Sequence, residues 1–503
     1  MEIELRVPAP VRRGHQRLAL RLEEVPATVT VVPVVSRPDP TPYRLMSLEH
    51  ALNGGVADAH LPTAPPAAAP SAHPTASGPP TVTSTEGPDR IVIDLTDEPR
   101  GSWAPWFDDR PGEGALLSAL QDGRLPLVTV RDETGATITS GRPGSEQPGL
   151  VVAAYADVLA GLATLLVAAL TGTAVSPPAP DEPPAPGVPL RRPRPLPLVA
   201  ARKAAGGVAR HAYRALYRTP HWRVGWRLLG PGDSDVWDLL GHPAAGWREL
   251  PDDGHHFYAD PFPFEHEGRT WLFVEDFDHR VGRGVISVVG FDDDGPVGVP
   301  HVVLEHDVHL SYPHVMAHDG EVWMVPETSA AGRIELYRAR AFPDRWTREA
   351  VLVDGVEASD ATLFQHADRW WMLATVRRGG SFSDTLHAWT ADDLLGPWRP
   401  HAAEPLVVDI ASARPAGHVV VRDGRLLRPV QDNRNGYGAA LLLTEVTRLD
   451  DEGFDQRVLA GLGASPEWPG RRLHTLNRAG RLEVIDGSAM SPRLRRPRRP
   501  TPP

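Results

Sequence analysis

"YADPFPFEHEGRTWLFVED" (residues 258–276) reads as two short strands around a tight turn. Asp260-Pro261 opens it, apolar residues run to Phe264, Gly268 makes the turn, and Trp271 and Phe273 alternate toward Glu275. An aspartate begins the unit and a glutamate ends it, where a plain buried strand has no use for charge. The stretch has siblings: "SYPHVMAHDGEVWMVPET" (311–328), "SDATLFQHADRWWMLAT" (359–375), "SARPAGHVVVRDGRLLRPVQD" (412–432) and "RLHTLNRAGRLEVIDG" (472–487). Aligned on Gly268, Gly320, Asp368, Gly424 and Gly480, they form five units roughly 50 residues apart, a period that in strand-rich sequence predicts propeller blades.

Two details predict closure into a ring. The fifth unit has its inner hairpin but no outer strands after it, whereas "WRVGWRLL" (222–229) and "GWRELPDD" (246–253) precede the first unit without a hairpin of their own. The strands at 222–250 therefore complete the last blade, and the propeller spans 219–487.

The chain ahead of it is different. "ATVTVVPVVS" and "RIVIDLTDE" read as strands, and "ALLSALQDGRLPLVTVRDETGATITSG" as helix, strand, turn at Glu133-Thr134-Gly135, and strand. Residues 1–172 thus form a small α/β domain, interrupted by a proline- and alanine-rich insertion at 61–88 that is expected to be disordered. A proline-rich linker (173–200) and a short basic helix (201–218) lead into the propeller, and a basic tail (488–503) reads as solvated and disordered. The expected architecture is multidomain, with a C-terminal all-β five-bladed propeller behind a small α/β domain.

Composition narrows the function classes. At 503 residues the chain exceeds one ordinary domain. The absence of cysteine excludes disulfides, thiolate metal sites and thiol catalysis. A formal charge of -12 argues against general nucleic-acid binding. The start, "MEIELRVPAPVRRGHQ", lacks the apolar core of a signal peptide, so a cytoplasmic location is expected. The apolar run at 149–172 approaches bilayer length, but Asp157 interrupts it and no basic cluster flanks it closely. It reads as a helix packed on the N-terminal domain, with no integral membrane span.

In a propeller the innermost strands line the central axis, so equivalent positions converge on one cavity. The opening column holds Asp260, Tyr312 with His314, Asp360, Arg414, and Arg472 with His474. The column after each turn holds Glu275, Glu327, Thr375 and Gln431, with Asp432 and Asp486 alongside. Carboxylates converging in an enclosed cavity perturb one another's pKa values, as acid/base chemistry requires. The plainer reading is that Asp260 only starts a strand and Glu275 only pairs with an arginine. The matching register of Asp260 and Asp360 weighs against it. Trp271, Trp323 and Trp371 alternate with apolar neighbours and are expected to pack in the core rather than stack on a ligand. His314, His418 and His474 with the two aspartates offer metal ligands, but at none of the usual tight ligand spacings, so no metal or other cofactor is expected.

The elements above, with "IELYRARAFPDRW", "LLGPWRPH" and "LLRPVQDNRNGYGAAL", occur in an order that resembles the N-terminal domain family of glucosamine inositolphosphorylceramide transferases. That family's domain is a propeller related to arabinanase- and fructosidase-like glycoside hydrolases. The resemblance stops at the propeller, so it does not carry transferase activity with it. It implies a base at Asp260, a second aspartate tuning pKa and orientation at Asp360, and a general acid, for which Glu327 is the candidate. The related hydrolases supply their glutamate after the second aspartate, where this sequence has Gln431 and Asp432. "RIVIDLTDE…LVTVRDETGATITSG" resembles methionyl-tRNA formyltransferases. That family's Asn, His and Asp, with the His in an HPS-like stretch, have no counterpart in residues 1–200, which implies a degenerate relative without formyl transfer.

Two functions follow as expectations. One is a carbohydrate-active enzyme that cleaves or transfers a glycosidic bond, with Asp260, Asp360 and Glu327 as the catalytic carboxyls. In it Arg414 and Arg428 clamp an anionic group, and His314, Gln431, Asp432 and His474 line the substrate site. The other is a non-catalytic glycan- or glycoconjugate-binding module that assists a separate glycosyltransferase partner.

Overall fold

A computed structural model describes residues 1–35, 39–53, 55–63, 90–178, 205–207, 209 and 212–493. The proline-rich insertion and linker and the end of the basic tail lie almost wholly outside the described residues. The chain divides into two compact units, Met1–Gly141 with Gln147–Gly172, and Arg142–Glu146 with Thr173–Pro503.

The first unit is built on a mixed sheet. Its strands are β1 (Glu2–Pro8), β2 (Thr28–Val34), β3 (Arg90–Asp94), β4 (Trp103–Phe107), β5 (Arg110–Pro111), β6 (Val128–Asp132) and β7 (Thr137–Gly141). They are ordered β2-β1-β3-β4-β6-β7, with β5 beside β4. β2, β1, β3 and β4 run parallel, and β6 and β7 are antiparallel additions. β1 and β4 carry Pro and charged residues, which mask their period in the sequence.

Helices α1 (Arg13–Leu22), α2 (Thr41–Leu52) and α3 (Gly112–Gln121) pack on α4 (Val151–Leu170). α4 is long and apolar enough to cross a membrane, yet 78% of its most apolar window is buried. Buried Glu113 ties the helices together: it bonds His15 Nε2 at 2.8 Å and accepts from Tyr43 and Tyr155 hydroxyls at 2.9 and 2.5 Å. Burial alone would raise its pKa, but the His15 charge and these donors hold it lowered.

In the second unit five sheets, four of them four-stranded and one five-stranded, follow one another as blades. Blade 1 comprises His256–His266, Arg269–Asp278, Arg283–Phe291 and Pro296–Leu304; blade 2, Ser311–His318, Glu321–Glu327, Arg333–Ala341 and Arg345–Asp354. Blade 3 comprises Ala358–His366, Arg369–Val376 and Thr385–Ala391, with short edge strands at Arg399–Pro400 and Val407–Val408. Blade 4 comprises Val420–Arg422, Arg425–Asp432, Ala440–Leu449 and Phe454–Leu462. Blade 5 joins Leu476–Ala479 and Leu482–Ser488 to Trp222–Leu228 and Arg248–Glu249, so strands from both sides of the repeats close the ring. The basic helix read at 201–218 stops short of its expected end, because Tyr217–Arg218 pairs as a strand with Ser491–Pro492.

The inner hairpins turn where the repeat alignment places them. Gly268, Gly320, Asp368, Gly424 and Gly480 all have positive φ, and Glu267, Asp319, Ala367 and Asp423 before the first four do too. Two consecutive left-handed residues make the type I′ turn that matches the twist of a two-residue hairpin. Apolar side chains fill the spaces between blades. Phe262, Phe273 and Val288 of blade 1 meet Val315, Met324 and Trp346 of blade 2, and Trp323 meets Trp370 and Trp389 between blades 2 and 3. Trp323 and Trp371 are buried, and Trp271 is partly buried against the blade 1–2 core.

Candidate functional site: a carboxylate ring at the propeller axis

The opening residues of the inner strands share one backbone feature. The ladder between the two inner strands slips at Ala259/Phe262, Ser311/His314 and Ser359/Thr362, a β-bulge at the same place in blades 1, 2 and 3. Inside these bulges Asp260, Tyr312 and Asp360 have φ of 46°, 45° and 56°. Left-handed backbone is costly for a residue with a Cβ, and bulges of this kind re-aim side chains. Three repeats of one strained conformation turn Asp260, Tyr312 and Asp360 out of the strand alternation and toward the axis.

Carboxylates then stitch blade 5 to blade 1, blade 1 to blade 2 and blade 2 to blade 3. Asp486, at the end of blade 5, accepts the Asp260 backbone N–H at 3.1 Å. Asp260 Oδ2 accepts the Tyr312 N–H at 3.2 Å, and Glu327 Oε2 accepts the Asp360 N–H at 3.2 Å. Glu275 reaches His309 Nε2, on the chain entering blade 2, at 3.3 Å. That bond and charge raise the histidine's pKa against the effect of burial. The glutamate that ends the opening stretch thus pairs with a histidine rather than an arginine.

Asp260 and Asp360 sit in different company. Asp260 Oδ1 accepts the Thr475 hydroxyl at 3.0 Å and lies 3.8 Å from His474 Nε2. His474 is stacked on Trp222 and bonded through Nδ1 to Asp486 at 2.5 Å. Burial opposes its protonation, but Asp486 and then Asp260 raise its pKa to about 9. For Asp260 itself burial dominates and pushes the carboxyl up to about 7; His474 opposes, while Glu275, Asp360 and Asp486 add to the rise.

Asp360 is held by Arg414, Nε to Oδ2 at 2.7 Å and Nη2 to Oδ1 at 3.4 Å, and by Gln431 Nε2 at 2.8 Å. Arg414 also lies 3.5 Å from Glu327 and 3.3 Å from Ser383 Oγ. Burial again raises the Asp360 carboxyl, to about 7, with Arg414 opposing and Glu327 reinforcing. One guanidinium between two carboxyls leaves one negative charge in excess, so Asp360 keeps its proton up to near neutrality. Glu327 is the more accessible member, its side chain 12% exposed against 3% for Asp360. It accepts a 2.8 Å bond from Ser329.

The remaining predicted residues divide. Gln431 belongs to the cluster, and its buried Oε1 has no hydrogen-bond partner. His314 lies away from the carboxylates, buried beside His418 and Phe262, with Nε2 against the Leu363 backbone. Burial, then His418, lowers its pKa well below the ordinary value, so it is a neutral ring in the axial core. Arg428 points to the Ser412 and Ala413 carbonyls and to Gln456, behind the Arg414 loop. Burial lowers its pKa to about 9. Asp432 pairs with Arg434 through bonds of 2.9 and 2.8 Å. Three participants carry no sequence signal: Thr475, Ser383 and Tyr437, whose half-buried ring lies 5.1 Å from the Arg414 guanidinium. Ligand atoms of Asp260, His474 and Asp486 lie within 4.8 Å of one another. The Asp486 oxygens, however, already accept three backbone N–H groups and the His474 bond, a set balanced without a cation.

The molecule is thus a five-bladed propeller whose axis carries paired, buried carboxyls. Residues 248–487 match the family model described as "Glucosamine inositolphosphorylceramide transferase 1, N-terminal", in agreement with the resemblance carried by the ordered motifs. The glucosamine inositolphosphorylceramide transferase 1 of Oryza sativa subsp. japonica is 30% identical over 274 residues, 51% of this chain and 36% of the relative. That of Arabidopsis thaliana is 30% identical over 261 residues, 50% of this chain and 33% of the relative. The chain spans about a third of the length of these curated relatives. Among solved structures, a family 117 glycoside hydrolase produced by Zobellia galactanivorans aligns with 10% identity and a TM-score of 0.35, covering 53% of this chain and 90% of that one.

Proposed function

We propose that the propeller is a carbohydrate-active domain that cleaves or transfers a glycosidic bond at its axis. The observation that carries this is the placement of Asp260 and Asp360 in the same strained bulge of blades 1 and 3, both buried and both raised to about 7, so that near neutrality an ionised Asp260 and a protonated Asp360 are both accessible. Asp260 takes the proton of a water or acceptor hydroxyl as its oxygen bonds to the anomeric carbon. The bond from that carbon to the leaving oxygen breaks with its electron pair on the oxygen, which takes the proton held by Asp360 beside Glu327. Arg414 fixes Asp360 and balances the charge left on the pair. Names of relatives supply the substrate class only, a saccharide or glycoconjugate.

A second reading is favoured by Gln431, which stands where related hydrolases place their acid: a glycan-binding module working with a separate glycosyltransferase. The test is a screen of wild type and Asp260→Asn against aryl glycosides and furanosides, with glycan binding measured in parallel. Turnover by wild type alone, with binding kept in the variant, is the expected result. No turnover by wild type on any substrate, together with retained saccharide binding, overturns the enzymatic reading and leaves the receptor.

A further inference from the structure

Residues Arg142–Glu146 belong to the second unit although they are far in sequence from every blade. Arg142 docks by its backbone, donating to the Val408 carbonyl at 2.7 Å and accepting from Ile410 N–H at 2.9 Å, and by its side chain on Asp409 at 3.0 Å. Gly144 N–H donates to Asp384 at 2.8 Å, and a Cβ at Gly144 would lie 2.1 Å from Ile410 Cδ1, so the segment fits only with glycine there. Glu146 then receives three donors on one oxygen: Ser381 Oγ at 2.7 Å, Phe382 N–H at 3.0 Å and Ser383 Oγ at 3.0 Å.

A serine hydroxyl has one proton. Ser383 spends it on Glu146, which leaves a lone pair facing Arg414 Nη1 at 3.3 Å. We propose that Glu146 is a positioning residue of the axial site, orienting the Ser383 hydroxyl so that Arg414 is held on Asp360. Without that acceptor the hydroxyl is free to turn its proton toward the guanidinium, and the loop Ser381–Ser383 loses its anchor. The site is then completed by residues outside the repeats. This rests on reading the Asp360–Arg414–Glu327 cluster as the working site, but its test needs no turnover.

The test is carboxyl NMR of the full chain labelled with 13C at aspartate side chains, with Asp360 assigned by Asp360→Asn. Wild type, Glu146→Gln, Glu146→Ala and Ser383→Ala are titrated. Deleting the Glu146 charge alone would lower the Asp360 midpoint, whereas loosening Arg414 raises it, so the sign separates the two effects. Glu146→Ala and Ser383→Ala are expected to raise the midpoint by about half a pH unit or more, with Glu146→Gln, which keeps an acceptor oxygen, close to wild type. Equal shifts in Gln and Ala variants, or no upward shift in Ser383→Ala, overturn the proposal; Ser383→Ala decides alone if Glu146→Ala does not fold. An upward shift in a protein that turns over no glycoside leaves Glu146 in its role and removes the enzymatic reading. Turnover with an unmoved midpoint does the reverse.

Discussion

Asp260→Asn tests the electrostatics of the ring without any substrate. The Asp260 carboxyl titrates near 7 in the folded chain, against an ordinary 3.8. A carboxyl whose folded pKa is raised binds more protons in the native state between those values. Its contribution to stability is therefore full below about 3.8 and is lost as pH rises through about 7. The interval spans about three pH units at about 1.4 kcal/mol each, so the ionised aspartate penalises the fold by about 4 kcal/mol at pH 8. Asparagine removes that penalty but cannot accept both the Thr475 hydroxyl and the Tyr312 N–H at two oxygens, a loss of about 1 kcal/mol. The variant is expected to be more stable than wild type by about 3 kcal/mol at pH 8, and less stable by about 1 kcal/mol at pH 4. Denaturant titration followed by tryptophan fluorescence reads this, since all tryptophans except Trp103 and Trp106 lie in the second unit. A variant destabilised by the same amount at both pH values would refute the claim that Asp260 is held in a field of like charges.

Two further substitutions probe the neighbours. Arg414→Met leaves Asp360 and Glu327 without their cation and should cost about 3–5 kcal/mol at pH 8, and less at pH 4 where Asp360 is neutral. Arg414→Lys should recover little, because an ammonium cannot span Asp360, Glu327 and Ser383 together, and denaturation curves at the two pH values measure both. Gly417→Ala places a Cβ 2.2 Å from the Leu476 carbonyl oxygen at a φ of 143° and should cost about 1–3 kcal/mol. Gly268→Asn, at an open type I′ turn, should cost less than about 1 kcal/mol by thermal melting.

The propeller was legible because its evidence repeats. Five turn residues in register, each preceded and followed by alternating apolar positions, define blade count and closure without reference to any one contact. The columns of carboxylates were legible for the same reason. The conformation that gives Asp260 and Asp360 their direction was not, because a bulge is a backbone event and Asp-Pro and Asp-Ala carry no common signature for it. His314 lies in a column position as good as Asp360, yet the residue two after the bulge points into the axial core. Arg428 shares its strand with Gln431 but faces the other way across the pleat, toward carbonyls that need a buried donor. Ser383, Tyr437 and Glu146 come from loops of no fixed period, and only the folded chain brings them to the cluster. In the first unit, proline in β4 and arginine in β1 hid strands whose faces are covered by helices.

The way blade 5 is assembled has a consequence for the order in which the protein is made. Leu228 pairs with Leu482, so a strand among the first of the propeller to leave the ribosome waits through roughly 250 residues for its partner. Through that interval Trp222–Leu228 presents unpaired backbone and two indole rings that finish in the core. Blades 1 to 4 need no such wait, since each is contiguous in sequence. Synthesis therefore passes through an open arc with one sticky end. The last step, docking of Leu482–Ser488, both closes the ring and brings Asp486 to the Asp260 backbone. A nascent chain halted before that point has four blades and a site without the Asp486, His474 and Thr475 surroundings of Asp260, and completing the site coincides with the loss of the most aggregation-prone edge.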